Sequence, residues 1–152
     1  MSTKIQEMID KAQDRYLAAD ELGLLEEYVQ SLPERLNLYR MIRDREVDLL
    51  QAVADRVPQE LPNVQETDIE TAIKDLILVL RYAAMAMLMN DEAFLKERLL
   101  KWLGELAGMR DLRRLNEALY KILQQVLKEN LSASQVALIQ PLITTAQVAV
   151  IY

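Results

Sequence analysis

The chain has 152 residues, of which 51% are hydrophobic and 28% charged; that make-up describes one globular domain with a real core and excludes a disordered segment. It has no cysteine and no histidine, which removes disulfides, thiolate nucleophiles, an imidazole base, the usual zinc sites and a proximal haem ligand. The net charge of −6 is uneven: eight bases against four acids between Phe94 and Lys128 give 8 − 4 = +4, leaving −10 elsewhere, a split that suits head-to-tail self-association or an acidic partner and argues against nucleic acid.

Only 3 Gly and 4 Pro punctuate the chain, which favours long helices. The start, Met1 to Glu7, has no apolar segment of the kind a secretory signal needs. No apolar run approaches the ~20 residues of a membrane span. A short opening helix is expected over Ile5 to Asp14. Asp20 is placed to cap a second helix carrying Leu22, Leu24, Leu25, Tyr28 and Val29. Pro33 is expected to interrupt or kink that run, which resumes with Leu36, Leu38, Tyr39, Ile42, Val47, Leu49, Leu50 and Val53. Pro58 and Pro62 predict a loop from Val57 to Glu66.

Thr67 with Glu70 has the form of a capping box. The helix after it places Ile69, Ala72, Ile73, Leu76, Ile77, Leu80, Ala84, Met87 and Leu88 on one face. Met85, Met87 and Met89 alternate along it, so they cannot all face one way. Asn90-Asp91 predicts a break and a new cap. The next helix holds Phe94, Leu95, Leu99, Leu100, Trp102 and Leu103, with Phe94 and Trp102 read as core anchors and an exposed hot spot as the alternative for the lone Trp, and ends at Gly108. A further stripe runs Leu112, Leu115, Leu119, Ile122, Leu123, Val126. Ser132 with Gln135 opens the last helix, Ala133 to about Val150, bent at Pro141. The β-branched run from Ile143 is read as helical. About seven or eight helices in one domain result, compatible with a globin-like fold or a bundle. No carboxylate pair, including Glu26-Glu27, faces a nucleophile or metal site, so no catalytic residue and no metal is assigned and the chain is not read as an enzyme.

Several blocks resemble phycobiliprotein subunits, most of all the allophycocyanin branch. Arg15-Tyr16-Leu17-Ala18-Ala19-Asp20-Glu21-Leu22 is similar to that family's (Arg/Lys)-Tyr-Leu-Ser-x-x-Glu-Leu. Ala72-Ile73-Lys74-Asp75-Leu76 through Leu80-Arg81-Tyr82-Ala83-Ala84-Met85-Ala86-Met87-Leu88 is similar to its Cys-(Leu/Ile)-Arg-Asp-Leu…Leu-Arg-Tyr block. Asn90-Asp91 and Leu95-Lys96-Glu97-Arg98 resemble its Gly-Asp-x-Ser-x-Leu-Asp-Glu-Arg. The resemblance implies an all-α, globin-like phycobiliprotein fold over 1–152. About 1–32 would form an N-terminal helical pair used for subunit pairing, and about 33–152 the globin-like body.

In that family the cysteine anchors a linear tetrapyrrole, the following Arg binds a propionate and the next Asp holds the pyrrole nitrogens. The matching positions are Ala72, Lys74 and Asp75. The nucleophile is lost, and Lys74 lacks the bidentate fork of a guanidinium. The Gly-rich loop that walls the pigment is also missing, since Pro62-Asn63-Val64-Gln65-Glu66 runs straight into the helix. No cofactor is therefore expected, and these three positions read as vestigial. The resemblance further implies a partner interface at Asp10, Asp14, Arg15, Tyr16, Arg81 and Tyr82, with Arg81 pairing across subunits to an acid; a local surface pair is the alternative for Arg81. Asp75 alone is otherwise an exposed or locally paired acid, with Lys74 or Arg81 as neighbours.

These readings imply a non-chromophorylated interaction protein in phycobilisome structure, assembly, turnover or regulation. Its partner would be itself as a homodimer, a phycobiliprotein-type subunit, a linker, or an assembly or degradation factor. It would act in the cytoplasm of a photosynthetic cyanobacterium, at or near the thylakoid face, without membrane insertion. A sensory or regulatory non-haem globin is the alternative, and a non-covalent bilin carrier the third reading.

Overall fold

The computed structural model describes residues 3–152, and among them the regular structure is entirely helical. Helix α1 is Thr3–Lys11 and α2 is Ala19–Glu60; α3 is Glu66–Met89. Helix α4 opens as Glu92–Leu95, passes through a π-helical turn at Lys96–Leu100 and continues as Lys101–Met109. Helix α5 is Arg113–Asn130 and α6 is Ala133–Ile151. Met1 and Ser2, which opened the expected signal-free start, lie outside the described residues.

The 42-residue α2 spans about 63 Å at ~1.5 Å per residue. Pro33 and Pro58 both lie inside it, so the expected break at Pro33 does not occur and the loop begins at Leu61 rather than Val57. Pro141 likewise sits inside an unbroken α6. All three prolines are exposed. Each therefore loses its hydrogen bond on the side where water replaces it, and its ring meets solvent rather than a neighbouring helix.

Helix ends follow local chemistry. The Asp91 carboxylate accepts from the Phe94 N–H at 3.2 Å, and Asn90 stops α3 in the left-handed region at φ 52°. Ser132 and Gln135 make the reciprocal box at 3.2 and 3.0 Å. Thr67 does not cap: α3 starts one residue earlier, with Gln65 at its N-cap. Asp20 does not cap either, because α2 begins at Ala19 and the Glu21 carboxylate accepts the Ala18 N–H at 2.9 Å. Helix α1 stops at Lys11, not Asp14, and α4 continues one residue past Gly108.

The core joins the second half of α2 to α3, α5 and α6, with α6 touching α2, α3, α4 and α5. Leu38, Val53, Leu76, Leu80, Met87, Leu95, Leu103, Leu119, Ile122, Leu123, Ile139 and Ile143 are its largest fully buried side chains. Val47, part of the expected apolar pattern of α2, is instead 76% exposed. By length and composition α6 is apolar enough to cross a membrane, which the expectation of no such run had missed. Its Ile139, Leu142, Ile143, Ala146 and Ile151 are packed into this core.

Helix α4 corrects one core assignment. Leu95, Leu99, Leu100 and Leu103 are buried, but Trp102 is 54% exposed. The π turn carries one residue more per turn than the α-helix, and the phase it sets keeps Leu103 inward and leaves Trp102 outside. Phe94 is half-buried and stacks on Tyr82, centroids 5.6 Å apart.

Candidate functional site

Two regions bear on function: the α3 positions that the resemblance matches to a pigment site and the arm formed by α1 and the first half of α2.

On α3, Ala72 is 2% exposed and lies in the core cluster. Lys74 is exposed. Asp75 is half-buried and accepts from Arg110 Nη1 at 2.7 Å. Neither Lys74 nor Arg81 is its ion-pair partner. Arg110 stands at the end of α4, in extended backbone, so this pair ties α3 to the α4–α5 junction. Tyr120 of α5 is buried nearby, and its phenol is pushed well above the ordinary value, first by burial and then by the Asp75 charge. The carboxylate that could meet a pyrrole is thus engaged by a guanidinium, and the position that could carry a thioether is enclosed by core side chains.

The arm is fastened to the body by α2. The Tyr28 hydroxyl donates to the Leu88 carbonyl at 3.0 Å. The Arg35 guanidinium donates to the Met87 carbonyl through Nη1 and to Ser31 Oγ through Nε. Met87 and Leu88 lie in the last turn of α3, where carbonyls have spare acceptor capacity; that of Met87 also accepts from the Asn90 N–H at 3.2 Å. A cation there also meets the negative end of the helix. Tyr28 and Arg35 are seven positions apart, two helical turns, so they share a face. That phase relation is the signal by which the sequence could have paired them.

Helix α1 lies over the same side. Ile5 and Met8 are buried and border a small cleft of about 170 Å³ with Leu24, Tyr28 and Arg35. The turn into α2 is clasped by Arg15, which donates to both Glu21 carboxylate oxygens at 2.7 and 3.2 Å and to the Tyr16 carbonyl at 3.0 Å. The Arg15 hydrogen bonds, followed by the Ala18 N–H, hold the Glu21 carboxyl down from an ordinary 4.5 to about 2. Tyr16 is 98% exposed. Asp10 accepts from Gln6 at 3.3 Å, and Asp14 is exposed.

A different face of α2 is left open. Leu22, Leu25, Val29, Leu32, Leu36 and Tyr39 recur at alternating intervals of three and four, which aligns them along one stripe. Leu22 is 46%, Val29 53% and Leu36 38% exposed, and the other three are half-buried. Alternate-turn exposure of this kind along a continuous stripe differs from scattered surface leucines. The body end of the stripe meets a cleft of about 250 Å³ bordered by Tyr39, Arg43, Glu46 and Arg81.

Within that cleft Arg81 donates to Glu46 at 2.7 and 2.9 Å. Arg81 is thus held by an acid of its own chain, and its side chain remains 62% exposed. Glu46 lies 35 positions away and had no local signal to mark it. Tyr82 stacks on Phe94, while Tyr16 stands exposed at the turn into α2. The 32/33 division falls inside α2, which passes through it unbroken.

No curated protein matches the chain. The family model described as Phycobilisome protein matches residues 7–148. With that match spanning the arm, the α3 positions and the body alike, the chain belongs to the phycobilisome protein family.

Proposed function

We propose that this chain is a non-chromophorylated member of its family, working in phycobilisome structure, assembly, turnover or regulation through protein–protein contacts. It acts in the cytoplasm, and it is a binding protein rather than an enzyme. The observation that carries this reading is the apolar stripe on α2, anchored to the body yet exposed at Leu22, Val29 and Leu36. Members of the family assemble into oligomers, which supports assigning the stripe to subunit pairing. The Asp75–Arg110 pair and the enclosed Ala72 support the absence of a covalent pigment.

The test is affinity capture from a lysate containing phycobilisomes, with the captured chains identified by mass spectrometry. The native chain should recover antenna or linker subunits. Val29→Glu places a charge on the stripe and should abolish that recovery, and Arg81→Glu should weaken it. Capture unaffected by both substitutions would refute the assignment of the surface. A visible pigment band on the native protein, purified after co-expression with bilin synthesis, would refute the non-chromophorylated reading.

A further inference from the structure

A cleft of about 490 Å³ opens between α4 and α6, within the ~300–1,000 Å³ typical of small-molecule sites. It shares no residue with the α2 stripe or with Ala72, Lys74 and Asp75. Leu100, Val148 and Ala149 give it an apolar wall, and Glu92, Lys96 and Lys101 stand along its α4 side. The α6 side brings no charge, since Ala133–Ile151 contains no acid and no base. Glu92 is already answered. The Thr145 hydroxyl donates to its Oε1 at 2.7 Å, and Lys96 Nζ lies 3.4 Å from the same oxygen. Lys101 is exposed and makes no ion pair among the described residues, although Glu97 and Glu105 stand four positions to either side. Over α4 as a whole acids and bases balance, Glu92, Glu97 and Glu105 against Lys96, Arg98 and Lys101. Of the charges that line the cleft, the one left uncompensated is the Lys101 ammonium.

The π turn makes this arrangement. Positions five apart on an α-helix stand about 140° round from one another. Here the Lys101 N–H donates to the Lys96 carbonyl, the i to i+5 bond of a π turn, and both lysines reach one cleft. Single π turns inside α-helices recur at functional sites. We propose that the cleft binds a free long-chain monocarboxylate, its head on Lys101 and its alkyl chain along Leu100, Val148 and Ala149. The apolar wall rewards each methylene it covers, and the lysine stems extend that wall while their heads stay in water. One uncompensated ammonium suits one carboxylate, whereas a cationic head would meet two ammonium groups.

Isothermal titration of the full chain with octanoate, decanoate and dodecanoate tests this. One site per chain is expected, with a dissociation constant that falls about fourfold for each methylene covered. Lys101→Gln should weaken dodecanoate binding about two- to fivefold, the worth of one exposed ion pair, and leave dodecan-1-ol binding unchanged. Val148→Glu sets a carboxylate against the chain and should weaken dodecanoate about tenfold. Lys128→Gln, exposed on α5 and outside the cleft, should change nothing. Amide NMR shifts on adding dodecanoate should centre on 96–101 and 144–149. No saturable binding, or affinity independent of chain length, would overturn the proposal, and so would shifts centred on Ala72. Association with phosphatidylglycerol vesicles without binding of free dodecanoate would assign the ammonium to a lipid surface and overturn it as well. Circular dichroism of each variant separates lost binding from lost folding. None of these readouts depends on capture from a lysate, so this inference and the proposed function stand or fall separately.

Discussion

The three glycines predict opposite responses to the same substitution. All three lie in helices: Gly23 in α2, Gly104 and Gly108 in α4. Alanine is favoured over glycine in a helix interior by about 1 kcal/mol. At Gly23 and Gly108 an added Cβ meets nothing within 4 Å, so Gly→Ala should stabilise by about 0.5–1 kcal/mol. At Gly104 the same Cβ would stand 2.9 Å from the carbonyl oxygen of Ala149. That oxygen is backbone of α6 and cannot rotate away as a side chain would. Relieving the overlap means separating α4 from α6, and overpacking of this kind costs about 1–3 kcal/mol. The propensity gain offsets part of that, leaving a net loss of about 1 kcal/mol. For a chain of this length 1 kcal/mol corresponds to about 2–4 °C in Tm. Thermal and urea unfolding of the three single variants should therefore show Gly104→Ala falling while Gly23→Ala and Gly108→Ala rise. Equal stabilisation by all three would refute the close approach of α4 and α6 as the reason glycine stands at 104.

Two further outcomes concern the arm. The folded Glu21 carboxyl lies at about 2 against an ordinary 4.5, so its contribution is complete above the unfolded value and is lost as pH falls from there towards 2. Carbonyl NMR should find the Glu21 midpoint near the bottom of that window in the native chain, and Arg15→Ala should move it upwards; a midpoint unchanged by Arg15→Ala would break the argument. Arg35→Met removes the donor to the Met87 carbonyl and should cost about 1.5–3 kcal/mol, the range for hydrogen bonds to charged groups. Faster amide exchange should follow at the end of α3 and in the arm, and exchange unaltered there would remove Arg35 as a fastening.

Signals that act within one turn were legible. Asp91 and the Ser132–Gln135 box cap as their spacing requires, and the apolar faces of α3 and α5 are buried as their periodicity implies. Proline was overread, because whether it breaks a helix depends on which side faces water, and that depends on the completed packing. Thr67 failed as a cap because α3 begins one residue before it. At the candidate site, the absence of a cysteine, with Ala72 at the matching position, was visible. The partners that re-employ the remaining charges were not. Arg110 and Glu46 each lie 35 positions from the residue they hold, and only the tertiary fold joins them.

The π turn at Lys96–Leu100 makes α4 a helix with two phases. Upstream and downstream of it the inward direction is set by different registers, so one residue added or removed elsewhere in α4 would rotate everything beyond it by about 100°. Gly104 would then leave the carbonyl of Ala149, and Leu103 would swing out of the core. Length variation is absorbed only inside the turn itself. Any relative compared with this chain should be matched separately on either side of those five residues.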